Sequence, residues 1–181
     1  MIDEKVLNRI LKSREDRSKK QIELIDRYHM SLISFTLNTP GSTKDSPMYR
    51  DIHEAGTLAI LEKLEEGHIS IVHREEFYRT TGPEAYIVVD IDPLILKEIT
   101  VDIEENHPLG RVFDIDVFDS HHNQISRTHI ERPPRRCLLC NDDARVCMRM
   151  QRHTYEELIH WIEQLWNKYR NTLKDTGFSG K

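Results

Sequence analysis

Val112-Phe113-Asp114-Ile115-Asp116-Val117-Phe118 is the stretch that most constrains what this chain can fold into. Apolar and polar residues alternate through it, and successive side chains on a strand point to opposite faces. A strand over 112–118 sends Phe113, Ile115 and Val117 to a core. It lines up Asp114 and Asp116 on the other face, with Val112 and Phe118 beside them. Two carboxylates ~5 Å apart at an effective dielectric of ~20 repel each other by about 3 kcal/mol. A divalent cation, an arginine or water has to offset that repulsion. Enzymes that transfer phosphoryl or nucleotidyl groups use such a pair to hold Mg²⁺ against phosphates. A solvated edge strand can carry the same D-x-D without any function. Gly110-Arg111, just upstream, shifts the balance toward phosphate. Glycine permits close backbone approach, and arginine binds phosphate.

The rest of the chain supplies elements to pack against that strand. Ile2, Val6, Ile10 and Leu11 have helical spacing over 2–12, and Ser13 is placed to cap a second helix from Arg14 to about Met30. Arg14, Arg17, Lys19 and Lys20 make its start basic, which suits either a solvated face or a bound anion. Ser31 to Leu37 reads as a buried strand, followed by a turn-rich loop, Asn38 to Pro47, and a helix over 48–66. Strand, polar loop and helix together are a place where phosphate binds, although no Walker pattern is present. Further strands are expected within 68–78 and 85–91, a helix from Asp92-Pro93, strand or helix over 99–103, and a short strand over 124–128. Residues 142–152 and 154–173 look helical, and 174–181 look like a tail. This predicts a single α+β domain over 1–181, a mixed sheet with flanking helices and a helical C-terminus. Its parts are N-terminal helices (1–30), a sheet-containing core (31–130) and a Cys/His segment with the last helix (131–181).

The charge balance, 26 Lys+Arg against 31 Asp+Glu, argues against a general nucleic-acid binder. No apolar run approaches the ~20 residues of a membrane span, and the first residues lack a signal-peptide pattern. A cytoplasmic location is expected. The three cysteines sit together as Cys137, Cys140 and Cys147, followed by His153. A Cys3His set suits structural Zn²⁺. The spacing departs from the usual finger pattern, so buried thiols in a packed segment are the alternative.

Four segments in order resemble one family. His107-Pro108-Leu109-Gly110-Arg111-Val112-Phe113-Asp114-Ile115-Asp116-Val117 is similar to the H-P-L-G-R-x-x-D-x-D-V signature of CitX, the apo-citrate lyase phosphoribosyl-dephospho-CoA transferases. Ser13-Arg14-Glu15-Asp16-Arg17 resembles its S-R-[DE]-[DE]-R. Ile33-Ser34-Phe35-Thr36, Pro40-Gly41 and Lys44-Asp45-Ser46 resemble its S-F-T, P-G and K-D-S. Pro134-Arg135-Arg136-Cys137-Leu138-Leu139-Cys140, with Cys147 and His153, resembles its C-terminal signature.

The resemblance implies a nucleotidyltransferase-like fold. The implied reaction takes 2′-(5″-triphosphoribosyl)-3′-dephospho-CoA and joins its 5″-phosphoribosyl-dephospho-CoA group to a serine of the acyl carrier protein (γ) subunit of citrate lyase, with release of diphosphate. Asp114 and Asp116 would then hold Mg²⁺, with Glu104 first among candidates for a third carboxylate (Asp45 and Asp90 being others). Arg111 would stabilise charge on the phosphates, and Gly110 would let the backbone approach them. Lys44, Ser46, Arg14 and Arg17 would contact phosphate, and Arg135 and Arg136 would receive the acidic carrier. Two other readings remain: a non-catalytic adaptor for the carrier, and a nucleotidyltransferase that uses an ordinary nucleoside triphosphate.

Overall fold

Ser31–Leu37 forms β1, and the strands on both sides of it run in the opposite direction. The computed structural model of the chain describes residues 4–175. In chain order the elements are α1 (Glu4–Tyr28), β1, α2 (Pro47–Glu66), β2 (Ile71–Arg79), β3 (Gly82–Val89), α3 (Pro93–Asn106), β4 (Phe113–Phe118), β5 (Gln124–Ile125), α4 (Ala144–Arg149) and α5 (Tyr155–Asp175). Short 3-10 turns cover Gly110–Val112 and Arg127–Ile130. The strands make one sheet in the order β2-β3-β1-β4-β5.

The class is α+β, as the sequence predicts. The sheet, expected to be mixed, is antiparallel at every pairing. The connections explain why. The crossovers α2 (β1 to β2) and α3 (β3 to β4) each join parallel strands, as a helical crossover should. Each crossover skips one strand, however, and the strand in the gap runs the other way. Every adjacent pair is therefore antiparallel.

Apolar cores lie on both faces. Ile33, Phe35, Ile87, Val89, Phe113, Ile115 and Val117 meet Ile52, Ile60 and Leu64 of α2, Leu96 and Ile103 of α3, and Ile162 and Trp166 of α5. On the other face, Leu24 and Ile25 of α1 pack on Leu32, Tyr86 and Val88. All eight residues of β3 are buried, so its run Ala-Tyr-Ile-Val-Val carries no alternation.

The N-terminal region is one helix where two were expected. No glycine or proline interrupts Glu4–Tyr28, so the backbone ladder runs straight through Ser13. The Ser13 hydroxyl instead reaches Thr81 Oγ1 at 3.0 Å, in the turn between β2 and β3. Residues 99–103 are helical, within α3. The strand expected over 124–128 keeps only Gln124–Ile125 before a 3-10 turn, and the helix expected over 142–152 shortens to Ala144–Arg149. Ile2 and residues 176–181 of the expected tail lie outside the described residues.

Candidate active site

The alternation of β4 is realised residue by residue, with Phe113, Ile115 and Val117 buried and Asp114, Asp116 and Phe118 half-buried. Antiparallel register places Asp114 opposite Thr36 and Asp116 opposite Ser34 on β1. The two carboxylates thus stand beside hydroxyl side chains on the face that α1 only partly covers. Gln21 of α1 donates to Ser34 Oγ at 2.9 Å. Asp116 accepts from Gln124 Nε2 at 2.7 Å. Burial, and then the neighbouring charge of Asp114, push the Asp116 carboxyl up to about 6. Two carboxylates on one face of a strand are hard-oxygen donors of the kind that suits Mg²⁺.

A cleft of about 270 Å³ opens beside Asp114. Ser13, Arg14 and Arg17 of α1 line one side, Thr36 to Thr39 the floor, Lys44 another side, and Thr81 to Pro83 the rim. Three of the predicted phosphate contacts, Arg14, Arg17 and Lys44, therefore meet in one place with Asp114. Lys44 donates to the Thr39 carbonyl, and burial, then the charges of Arg14 and Arg17, push its pKa down. Such mutual repulsion marks a site that gains from a bound anion. Arg17 is partly committed: its guanidinium lies 3.3 Å from buried Glu84. Arg14 is exposed and makes no hydrogen bond or ion pair among the described residues.

The outer edge of β4 is paired by β5 only at Val117 and Phe118. Upstream of that, α3 satisfies the edge. Ile115 N–H donates to Glu104 Oε1 at 3.1 Å, and Lys97 Nζ donates to the Ile115 carbonyl at 2.9 Å. Charged side chains closing an unpaired edge also block strand addition there. Burial pushes the Lys97 amine down, while Glu104 and Asp116 hold it up.

Glu104 does not stand free as a third metal ligand. It is 5% exposed. Besides Ile115 N–H, its oxygens accept from Arg127 at 2.6 Å and from Arg135. Arg135 links two places: a second guanidinium nitrogen lies 3.5 Å from Asp114. Arg135, expected to receive the carrier, turns its guanidinium toward Glu104 and Asp114, while Arg136 is exposed.

Arg111 and Gly110 line a second cleft of about 300 Å³, with Glu104, Glu105, Arg127, Pro133 to Arg136 around it. The glycine answers to packing. A Cβ at Gly110 would come within 2.5 Å of the Glu104 carbonyl oxygen and 2.6 Å of that of Ile103. Ser46, expected on phosphate, caps α2 and accepts from Tyr49 N–H at 3.2 Å. Asp45 is paired with Arg50 at 2.7 Å. Cys137, Cys140, Cys147 and His153 converge, with one ligand atom from each inside a 4.8 Å cluster.

The sequence reading missed Glu84, Lys97 and Gln124. One signal was available. Lys97 and Glu104 are seven residues apart on a helix otherwise buried through Leu96, Val101 and Ile103, so both had to find partners inside. Glu84 and Gln124 carry no comparable signal.

The family model CitX, apo-citrate lyase phosphoribosyl-dephospho-CoA transferase, matches residues 5–169. A probable apo-citrate lyase phosphoribosyl-dephospho-CoA transferase of Vibrio cholerae serotype O1 (strain M66-2) is 37% identical over 164 residues, 90% of this chain and 92% of the relative. The apo-citrate lyase phosphoribosyl-dephospho-CoA transferase of Citrobacter koseri is 35% identical over 156 residues, 86% of this chain and 85% of the relative. That of Escherichia coli O7:K1 (strain IAI39 / ExPEC) is 35% identical over 158 residues, 87% and 86% of the two chains. Among the described residues no helix is long and apolar enough to cross a membrane. With the match spanning the aspartate strand, the cationic cleft and the cysteine segment together, the chain belongs to the CitX family of apo-citrate lyase phosphoribosyl-dephospho-CoA transferases.

Proposed function

We propose that this transferase moves the 5″-phosphoribosyl-dephospho-CoA group of 2′-(5″-triphosphoribosyl)-3′-dephospho-CoA onto a serine of the acyl carrier protein (γ) subunit of citrate lyase, releasing diphosphate. The observation that carries this reading is the convergence of Arg14, Arg17 and Lys44, from two distant parts of the chain, on one cleft beside Asp114. A triphosphate with several negative charges is the kind of ligand that such a cleft takes.

Arg14 and Lys44 bind the two outer phosphates that leave as diphosphate. Arg17, held by Glu84, sets the wall against which the donor rests. Asp114 and Asp116 are the residues that would hold Mg²⁺, which when bound supplies charge neutralisation at the phosphates. Arg135 fixes the Asp114 carboxylate from behind and is itself fixed by Glu104. The carrier serine attacks the α-phosphorus, the bond to the diphosphate oxygen breaks, and the serine proton passes to a base. One of the two strand carboxylates accepts it. Arg111 and Arg136, beside the second cleft, face the incoming carrier, whose surface is acidic. The reaction belongs to the cytoplasm and needs neither nucleic acid nor membrane.

Intact-mass measurement tests this reading. Apo-carrier, the triphosphoribosyl donor, Mg²⁺ and enzyme are incubated together. The carrier should gain the mass of one phosphoribosyl-dephospho-CoA group. Gain of a nucleotidyl mass from ATP or CTP, with none from the triphosphoribosyl donor, would overturn it.

A further inference from the structure

The segment from Glu131 to Thr154 has almost no core of its own. Its buried side chains are Cys137, Leu138 and Cys147. It nevertheless holds Arg135 in place against Glu104 and Asp114. A stretch this thinly packed needs another source of order, and disulfides or metals are the usual ones.

The four side chains Cys137, Cys140, Cys147 and His153 supply a specific geometry. Zn–S bonds of ~2.3 Å and Zn–N bonds of ~2.0–2.1 Å at tetrahedral angles put sulfurs about 3.8 Å apart and sulfur and nitrogen about 3.6 Å apart. The observed separations are 4.0 Å for Cys140 Sγ to Cys147 Sγ and 3.4 Å for Cys140 Sγ to His153 Nε2. All four ligand atoms lie within 4.8 Å of one another. The cysteines are free thiols, and 4.0 Å is far from the ~2.05 Å of a disulfide.

The backbone around the ligands is ordered in the same sense. Cys137 N–H donates to the Asp142 carbonyl at 2.8 Å, and Ala144 N–H donates to the Arg135 carbonyl at 2.9 Å. These bonds make a narrow ribbon that turns at the C-x-x-C. The amides of Leu139 and Cys140 point at the Cys137 sulfur, where they would steady a thiolate. Asp143 caps α4, which carries Cys147, and the turn after α4 delivers His153 at the entrance to α5.

We infer that Cys137, Cys140, Cys147 and His153 bind one structural Zn²⁺, which ties the Arg135 ribbon to α4 and α5. All four positions are filled by protein, which leaves no open coordination site for chemistry. The role of the metal is to keep Arg135 at the aspartate strand.

The experiment uses the full chain purified without a His tag under reducing conditions. Metal analysis should find about one zinc per chain. Replacement by Co²⁺ should give the visible bands of a tetrahedral site and thiolate-to-metal charge transfer in the near ultraviolet. Cys140→Ser should lose metal, while His153→Cys, which keeps four ligands, should retain it. Chelation should speed hydrogen exchange at the amides of Cys137 and Ala144. Zinc far below one per chain, together with cobalt spectra lacking thiolate charge transfer, would overturn the site. Unchanged exchange on chelation would overturn its tie to the Arg135 ribbon. None of these readouts depends on transferase activity.

Discussion

Arg135 stands with one guanidinium nitrogen 3.5 Å from an Asp114 carboxylate oxygen and another bonded to Glu104. Glu104 in turn holds the backbone N–H of Ile115, the residue between the two aspartates. One buried carboxylate thereby fixes both the strand that carries the pair and the arginine that faces it. If this arrangement matters for turnover, Arg135→Ala should lower kcat about 10- to 100-fold, from loss of charged hydrogen bonds worth about 1.5–3 kcal/mol. The KM for the carrier should change little. A rise in carrier KM at constant kcat would instead make Arg135 a docking residue.

Asp116 links the site to stability. Its carboxyl rises from an ordinary value of 3.8 to about 6 on folding, because burial and Asp114 disfavour its charge. A carboxyl with a raised folded pKa holds its proton longer in the folded chain than in the unfolded one. Ionisation then costs the folded state, with no cost below the unfolded value and the full cost above the folded one. Without divalent metal, Asp116→Asn should therefore stabilise the protein by about 1–3 kcal/mol at pH 7.5. The gain should fade as pH falls through the interval between those two values. Urea titrations across pH would measure it.

Gly110 serves packing against α3. Alanine there would press a methyl group into two backbone carbonyls, which cannot move aside as a side chain can. Gly110→Ala should cost about 2–3 kcal/mol by the usual penalty for overpacking. A variant of wild-type stability with weakened donor binding would assign the glycine to phosphate approach instead.

Arg14 and Lys44 should act on the donor alone. Arg14→Ala and Lys44→Met should each raise the donor KM about tenfold, the equivalent of a charged contact of ~1.4 kcal/mol. The salt dependence of donor binding should weaken with them. Steady-state kinetics at two ionic strengths would separate this from an effect on the carrier.

How much of this was legible in the sequence differs from residue to residue. The shared face of Asp114 and Asp116 follows from strand period alone, and it holds. The segments carrying Arg14 and Lys44 each looked suited to an anion, but no local pattern says that α1 and the loop after β1 meet at Asp114. That contact is made by a helix lying across the sheet, over a sequence separation that local rules do not span. Ser13 misled because serine is a good cap, yet its hydroxyl found a tertiary partner in Thr81. Glu104 lies close before the aspartate motif in sequence, which by itself suggests a metal ligand. Its actual work depends on β5 being too short to pair the whole edge of β4, which only the sheet reveals. Gly110 was legible as a site of close approach, but not as to what approaches it.

Transfer at the β4 aspartates and the cleft beside them is tested by removing both carboxylates. The most direct measurement is the rate at which apo-carrier gains the phosphoribosyl-dephospho-CoA mass with wild-type enzyme and with Asp114→Asn combined with Asp116→Asn. Circular dichroism and urea melts should show the double variant folded. The predicted result is a rate lower by on the order of a thousandfold or more, equivalent to about 4 kcal/mol of lost transition-state stabilisation. Carrier modified by the folded double variant at the wild-type rate would mean that the strand carboxylates take no part in the transfer.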